Sequence, residues 1–199
     1  MQYIIFDGEL TTNFYPLTLT KPAFDLFLGK KTLLEDLVEK LNLKEYHLMV
    51  QPHLTDITRK RHNTKINPQT SEDDTVFING RLSPDKEIGN LLKKKEHFTA
   101  FSKGELALAK LNKKAADKLL QGEKSLKNLE SNMKSYNPSE SPLIRYPWEL
   151  VDKNPSAIEE QSKLTLQGDP PDMSKCEVLG PNKNLKFEGN ASIESHVLF

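Results

Sequence analysis

The chain has 199 residues, enough for one sizeable domain or for one domain with an appendage. Its 28 lysines and arginines balance its 28 aspartates and glutamates, which argues against a general binder of nucleic acid or anionic membranes. One cysteine, Cys176, excludes an intrachain disulfide, and no apolar run approaches the ~20 residues that span a bilayer. Because the N-terminus carries no leader of basic and apolar residues, we expect a cytoplasmic protein.

The first part of the chain predicts a strand, a loop and a helix. A compact apolar run at residues 3–6 ends at Asp7-Gly8 and indicates a central strand. Thr32 and Glu35 form a T-x-x-E capping box, and the leucines that follow repeat on one helical face. In the loop between them, a glycine lets backbone N–H groups approach a phosphate, and a lysine supplies positive charge.

The next segments alternate between the two kinds of structure. We predict strands at 46–50, 75–78 and 97–101, and helices at 54–62 and 86–94. This alternation indicates an α/β fold, a mostly parallel sheet with helices on its faces. In such folds ligands bind in loops at the carboxyl ends of strands, where Asp7-Gly8 and Asn79-Gly80 stand.

The pattern changes after residue 101. Ser102 and Glu105 form a second capping box, which predicts a long helix with Glu105 as its cap and no strand over 103–134. Asn154 before Pro155 predicts the N-terminus of a later helix that runs to about residue 161. The segment 168–171 predicts a turn or linker.

Near the C-terminus, apolar residues recur every six positions in two series. The series are Leu179, Leu185, Ala191, Val197 and Phe187, Ile193, Phe199. A six-residue period is typical of a parallel β-helix, although chance spacing in a terminal β-ribbon is the alternative. Since a single coil cannot bury its own faces, we expect that the chain is a fragment that ends where a β-helix begins.

Several motifs occur together in a characteristic order. They are Phe6-Asp7-Gly8, Pro16-Leu17-Thr18, Lys21-Pro22, Gly29-Lys30-Lys31-Thr32-Leu33-Leu34-Glu35 and Tyr146-Pro147-Trp148-Glu149-Leu150. This order resembles the sugar-1-phosphate nucleotidyltransferase superfamily, and within it a divergent branch related to the bifunctional N-acetylglucosamine-1-phosphate uridyltransferases. The resemblance implies a Rossmann-like nucleotidyltransferase domain at 1–145, a connecting helix and linker at 146–175, and the start of a truncated left-handed β-helix at 176–199.

The resemblance also implies a reaction and its participants. A sugar 1-phosphate would attack the α-phosphate of a nucleoside triphosphate and release pyrophosphate, with magnesium as the cofactor. The full-length protein would form a homotrimer through the β-helix. The catalytic residues implied are Lys21 and Arg81. The nucleotide-binding residues implied are Phe6, Asp7, Gly8, Thr18, Asn79 and Gly80.

The chain departs from the superfamily pattern at two positions. The first loop, which begins Gly8-Glu9, lacks the arginine and second glycine of a Gly-x-Gly-Thr-Arg loop. Arg81 stands where an Asn-Gly-Asp motif places its metal-binding acid, and an arginine contacts phosphates but ligates no cation.

Three functional interpretations therefore stay open. One is the nucleotidyltransferase. The second is a catalytically degenerate domain that binds a nucleotide or nucleotide-sugar, attached to a β-helix acyltransferase or trimerisation module. The third treats Pro16, Lys21 and Pro22 as turn-forming loop residues only.

Overall fold

The structure, a computed structural model, describes residues 1–70, 74–120, 133–138 and 143–162, with the isolated positions 172–174, 176, 177, 179, 192 and 193. The predicted turn at 168–171 and the hexad repeat lie outside these residues, except for Leu179 and Ile193. Within the described residues, no helix is long and apolar enough to cross a membrane.

A sheet of six described strands forms the centre of the molecule. Its strands are β1 (Gln2–Phe6), β4 (His47–Met49), β5 (Thr75–Asn79), β6 (Phe98–Ser102), β7 (Glu105–Leu111) and β8 (Lys134–Tyr136). They lie in the order β4-β1-β5-β7-β6-β8, and β7 is antiparallel to both of its neighbours while the other pairs are parallel. The expected α/β fold with a mostly parallel sheet is therefore confirmed. Two short strands, β2 (Phe27–Leu28) and β3 (Lys31–Thr32), pair outside this sheet.

The described helices include the predicted one after Thr32 and those predicted at 54–62 and 86–94. They are α1 (Leu33–Lys40), α2 (Thr55–Arg61), α3 (Lys86–Leu92), α4 (Lys113–Leu120) and α5 (Pro147–Ser162). The capping box of α1 is confirmed: the Glu35 N–H donates to Thr32 Oγ1 at 3.2 Å, and the Thr32 N–H donates to Glu35 Oε2 at 2.7 Å. Short 3₁₀ helices cover Glu9–Phe14, Ala23–Asp25 and Pro52–Leu54.

The alternation of side chains along β1 divides the core into two layers. Ile5 packs with Leu37 of α1 and Ile88 of α3 on one face of the sheet. Ile4 packs with Ala116 of α4 on the other face. Full burial of a large aliphatic side chain stabilises the fold by roughly 1.5–3 kcal/mol, so these layers hold β1 firmly at the centre.

The prediction of a helix from Ser102 onward is wrong, because this segment forms the hairpin of β6 and β7. Lys103 and Gly104 form the two-residue loop, with φ angles of 49° and 83°. Both angles are left-handed, as a tight hairpin turn requires, and glycine adopts such an angle readily. Glu105 is consequently the first residue of a buried strand and not a helix cap.

The predicted helix start at Asn154 is also wrong, since α5 begins at Pro147 and contains Pro155. The helix starts earlier because Glu149 Oε2 accepts the Arg145 N–H at 2.6 Å. The Asn154 side chain instead accepts the Gly29 N–H at 2.8 Å, which ties α5 to the β2–β3 hairpin.

Candidate functional site

The carboxyl edge of the sheet brings the predicted residues of two strands together. Asp7 and Gly8 follow β1, and Asn79 completes β5 just before Gly80 and Arg81. The chain passes from β1 to β4 on one side, whereas β5 is followed by β6 and β7 on the other. This divergence is the topological switch point at which open α/β sheets bind ligands.

Arg81 is the most deeply buried charged residue at this edge. Its side chain is 0% exposed, and its guanidinium pairs with Glu105 through Nη2 and donates to the Ile144 carbonyl through Nη1 at 2.8 Å. Burial lowers the pKa of Arg81, while Glu105 and Asp7 oppose that shift. Its charge is balanced inside the protein, and in this arrangement no face of the guanidinium is offered to solvent.

Gly8 lies against this buried pair. A Cβ atom at Gly8 would stand 2.6 Å from Arg81 Nη2, 2.6 Å from Asn79 Nδ2 and 2.7 Å from Glu105 Oε1. Asn79 is itself held, because its Nδ2 donates to the Leu106 carbonyl at 3.0 Å and its Oδ1 accepts the Arg81 N–H at 3.1 Å. Glycine is therefore required here so that buried polar side chains can approach the backbone closely.

Gly80 is constrained in a similar way, since its Cβ would meet the Phe24 ring at 2.7 Å. Phe6 lies in the core beneath the edge. Thr18 is buried, and its hydroxyl donates to the Thr11 carbonyl at 2.9 Å, which closes the first loop. The structure thus places these three residues in supporting positions around the site.

Asp7 has a different environment from Arg81. Its Oδ1 accepts the Ala23 N–H at 3.1 Å, whereas its buried Oδ2 has no hydrogen-bond partner among the described residues. Burial, assisted by Asp25, raises the pKa of Asp7 to about 6, although the Ala23 hydrogen bond and Arg81 act in the opposite direction. The pKa of Asp7 therefore lies well above the ordinary value of a carboxyl group, a property that often accompanies functional sites.

Lys21 is half-buried in the loop that leads to Ala23, the residue that donates to Asp7. Within the described part of the chain, no hydrogen bond or ion pair engages its ammonium group. The predicted Lys21 therefore has unused hydrogen-bond donors and lies two residues before Ala23, whose N–H donates to Asp7.

Three groups near this edge were not predicted as site residues. Asp25 is 8% exposed, with Oδ1 lying 2.9 Å from His62 Nε2 and Oδ2 lying 3.5 Å from an Arg61 nitrogen. Arg145 donates to the Ser102 carbonyl at 2.6 Å. Glu105 was missed because its strand was mistaken for a helix, although the glycine at position 104 favours a turn. No local signal indicates Asp25 or Arg145, because their partners are distant in sequence.

An open cleft lies beside Asp7, at the carboxyl ends of β1 and β4. Its volume is about 390 Å³, within the range of small-molecule sites. The lining residues are Asp7, Met49, Val50, Gln51, Asn67, Pro68 and Leu120. The carboxyl edge thus combines a cleft with an acidic group of perturbed pKa.

The side chains around Arg81 do not fit the magnesium ion that the resemblance implies. Among the residues that the structure describes, no group of three or more His, Cys, Asp or Glu side chains could hold a metal ion. The position expected to supply a carboxylate carries a guanidinium, which repels a cation. The unused oxygen of Glu105 lies beside that same positive charge.

Two solved structures share the fold at low sequence identity. A molybdopterin-guanine dinucleotide biosynthesis protein A from Archaeoglobus fulgidus is 17% identical, with a TM-score of 0.56 over 82% of this chain and 100% of that chain. A Bacillus anthracis protein assigned as a glucose-1-phosphate thymidylyltransferase, crystallised with sucrose, is 12% identical, with a TM-score of 0.53 over 85% and 98%. Among curated proteins, a sequence comparison finds no match.

The sequence itself supplies the assignment to a family. A family model described as "Sugar nucleotidyl transferase" matches residues 3–169, most of the chain, including the first loop and the Asn79-Gly80-Arg81 segment. The match agrees with the α/β sheet and with the cleft at its carboxyl edge. The chain belongs to the sugar nucleotidyl transferase family.

Proposed function

We propose that the chain transfers a nucleotidyl group from a nucleoside triphosphate to a sugar 1-phosphate. The observation that carries this proposal is the cleft of about 390 Å³ that reaches Asp7 at the carboxyl edge of the sheet. The edge is the ligand-binding side of an open α/β sheet, and the family membership supplies the reaction class. The finer relation to bifunctional uridyltransferases belongs to the same proposal.

The proposed reaction is a substitution at phosphorus. An oxygen of the sugar 1-phosphate forms a bond to the α-phosphorus, and the bond from that phosphorus to the pyrophosphate oxygen breaks. The attacking phosphate is already ionised near neutral pH, so no protein base has to remove a proton. What the site must supply is alignment and positive charge.

Lys21 is the residue proposed to supply that charge. Its ammonium makes no hydrogen bond or ion pair with the described residues, so its donors are available to the leaving pyrophosphate. The loop is held by the Thr18 hydrogen bond to Thr11 and by the Ala23 hydrogen bond to Asp7. Magnesium would enter bound to the triphosphate, as part of the substrate.

A second function is favoured by the pair formed by Arg81 and Glu105. Because a balanced ion pair occupies the place of the expected metal-binding acid, the domain would bind a nucleotide or nucleotide-sugar without turnover. In that case the hexad repeat would carry acyl transfer or trimerisation. This is the alternative that the experiments must separate from catalysis.

The direct test is pyrophosphate release from each common nucleoside triphosphate with a panel of sugar 1-phosphates. We expect turnover with at least one pair, and we expect Lys21→Met to reduce kcat by a factor of about 100, as loss of a charged transition-state contact does. Lys44→Met is the matched control, because Lys44 is an exposed lysine just before the amino end of β4. Equal loss in both variants would contradict the role of Lys21.

Calorimetry distinguishes the two functions. Nucleotide binding that is unaffected by magnesium, with no pyrophosphate release from any pair, would support the binding domain and refute the transferase. Turnover with any pair would refute the alternative.

A further inference from the structure

We infer that Asp25 and His62 are positioning residues for Lys21. Their contact fixes the short 3₁₀ helix Ala23–Asp25, which follows Lys21 closely in the chain, and so fixes the place from which the Lys21 ammonium reaches a diphosphate. The inference rests on the proposed function in one respect, because it takes Lys21 as the residue that contacts the diphosphate. It assigns a role to a contact between the first loop and α2, which the family membership does not supply.

Each of the three residues of this 3₁₀ helix is held by a different part of the fold. The Ala23 N–H donates to Asp7 Oδ1, just after β1, at 3.1 Å. The Phe24 ring is fully buried and lies so close to Gly80, just after β5, that a Cβ atom there would stand 2.7 Å from it. Asp25 is buried against the end of α2. The 3₁₀ helix therefore joins the ends of two central strands to α2.

The contact with α2 is the one that carries charge. Asp25 Oδ1 lies 2.9 Å from His62 Nε2, and Oδ2 lies 3.5 Å from Arg61 Nη1 without forming a hydrogen bond to any described residue. Because an ionised carboxylate only accepts hydrogen bonds, the His62 ring nitrogen is the donor. The His62 ring also meets the Phe24 ring edge to face, with centroids 6.1 Å apart. Loss of the His62 side chain would leave a buried carboxylate without a hydrogen-bond donor among the described residues, which is costly.

Lys21 is joined to this 3₁₀ helix by a stiff connection. Pro22 separates the two, its ring restricts the backbone, and its carbonyl accepts the Asp25 N–H at 3.1 Å. The Lys21 ammonium makes no hydrogen bond or ion pair with the described residues, so its position depends on the backbone that carries it. A shift of the 3₁₀ helix would therefore displace the ammonium, and a displacement of about 1 Å costs up to about 100-fold in rate.

Calorimetry with inorganic pyrophosphate and magnesium tests the inference without requiring turnover. We expect Lys21→Met and His62→Ala each to weaken pyrophosphate binding about 10-fold, the effect of one charged hydrogen bond. In the Lys21→Met background, His62→Ala should change the affinity by less than about 2-fold, because the residue that His62 positions is gone. Equal losses in both backgrounds would show that His62 acts independently of Lys21 and would overturn the inference.

Two further variants identify the hydrogen bond as the cause. His62→Gln places an amide N–H near the position of the ring nitrogen, and its affinity should stay within about 3-fold of the wild-type value. His53→Ala is the matched control, because His53 is an exposed histidine of the 3₁₀ helix before α2, and it should bind pyrophosphate as the wild type does. A loss in His62→Gln as large as that in His62→Ala would overturn the inference.

Hydrogen exchange measures the hold on the 3₁₀ helix directly. In His62→Ala we expect the Ala23 amide to exchange about 10-fold or more faster, while the amide of Leu108, buried in β7, keeps its wild-type rate. Unchanged exchange at Ala23 would overturn the inference. If His62→Ala does not fold, Arg61→Met removes the more exposed partner of Asp25 instead, and the same measurements should shift by about 3-fold in the same direction.

The outcomes separate this inference from the proposed function. Coupled losses of pyrophosphate binding, with no pyrophosphate release from any substrate pair, would overturn the transferase and support the inference. Turnover with independent effects at His62 and Lys21 would overturn only the inference. A wild-type protein that does not bind pyrophosphate would overturn the inference whatever its turnover.

Discussion

The carboxyl edge of the sheet consists of two halves with opposite characters. The sealed half comprises Asn79, Arg81 and Glu105 beneath Gly8, where opposite charges are paired, although Arg81 Nε and Glu105 Oε2 have no hydrogen-bond partner among the described residues. The open half comprises Asp7 and its cleft, where a carboxyl oxygen has no partner among the described residues. The comparison teaches that burial and charge alone do not identify a reactive group. The group of interest is the largely buried acid that lines a cleft and forms no ion pair with the described residues.

The largest expected effect comes from breaking the sealed half. Glu105→Ala would leave the buried guanidinium of Arg81 without its counter-charge, and we expect a loss of about 3–5 kcal/mol in the free energy of unfolding. Urea denaturation measures this loss. The control is Glu39→Ala. Glu39 pairs with Lys31 in a solvent-exposed ion pair, so its loss should lower the free energy of unfolding by only about 0–1 kcal/mol.

Replacing both Arg81 and Glu105 tests whether the loss of stability comes from the unbalanced charge. Because Leu at both Arg81 and Glu105 removes both charges together, the double variant should recover much of the stability lost in Glu105→Ala. A double variant that is as unstable as the single one would mean that the pair has a role beyond mutual charge balance.

Gly8 lies where the two halves meet, and its replacement should have the next largest effect. Gly8→Ala places a Cβ atom about 2.6 Å from side chains that are locked by hydrogen bonds, and we expect a loss of about 1–3 kcal/mol. The matched control is Gly89→Ala in α3, where no atom lies within 4 Å and a gain of about 0.5–1 kcal/mol is expected. Thermal denaturation of both variants measures these effects as shifts in Tm. Equal shifts in the two variants would contradict the tight packing at Gly8.

The raised pKa of Asp7 in the open half should make the stability of the protein depend on pH. Because the pKa of Asp7 rises from 3.8 to about 6 on folding, the folded protein binds the proton more tightly, and stability falls as pH rises from about 4 to 6. The Asp7→Asn variant buries no charge at this position. Its free energy of unfolding should therefore exceed that of the wild type by an amount that grows over this pH window and reaches about 1 kcal/mol above pH 7. Urea titrations at several pH values measure it. A difference that does not change with pH would contradict the shift.

The smallest expected effect belongs to Gln51, on the open side of the comparison. Its hydrogen bond to Thr11 is long, at 3.4 Å, and Gln51→Ala should change the free energy of unfolding by less than about 0.5 kcal/mol. Nucleotide affinity should fall nonetheless, because Gln51 lines the cleft beside Asp7. A stability loss comparable to that of Glu105→Ala would place Gln51 with the sealed half.

The sequence predicts well those features that depend on local spacing. The strand before Asp7 and the Thr32–Glu35 capping box follow from apolar runs and side chains a few residues apart. The hairpin at Gly104 was missed because Ser102 and Glu105 satisfy the spacing of a capping box, while β-pairing with β5 depends on residues far away in the chain.

The candidate site divides in the same way. Motifs placed Asp7, Gly8 and Asn79 at one edge of the sheet, because strand ends can be inferred from the sequence. They could not show that Arg81 would meet Glu105, since that contact depends on the reversed direction of β7. Nor could they indicate Asp25 with His62, whose contact depends on how α2 packs beside the first loop.

The contact between Arg81 and Ile144 has a consequence for how the protein is made. Ile144 accepts from the Arg81 side chain and donates its own N–H to the Arg81 carbonyl, and α5 follows directly. During synthesis Arg81 and Glu105 leave the ribosome well before this segment does. The charged pair is therefore fully enclosed only when the later part of the chain has emerged, so completion of the sheet edge awaits residues 143–162.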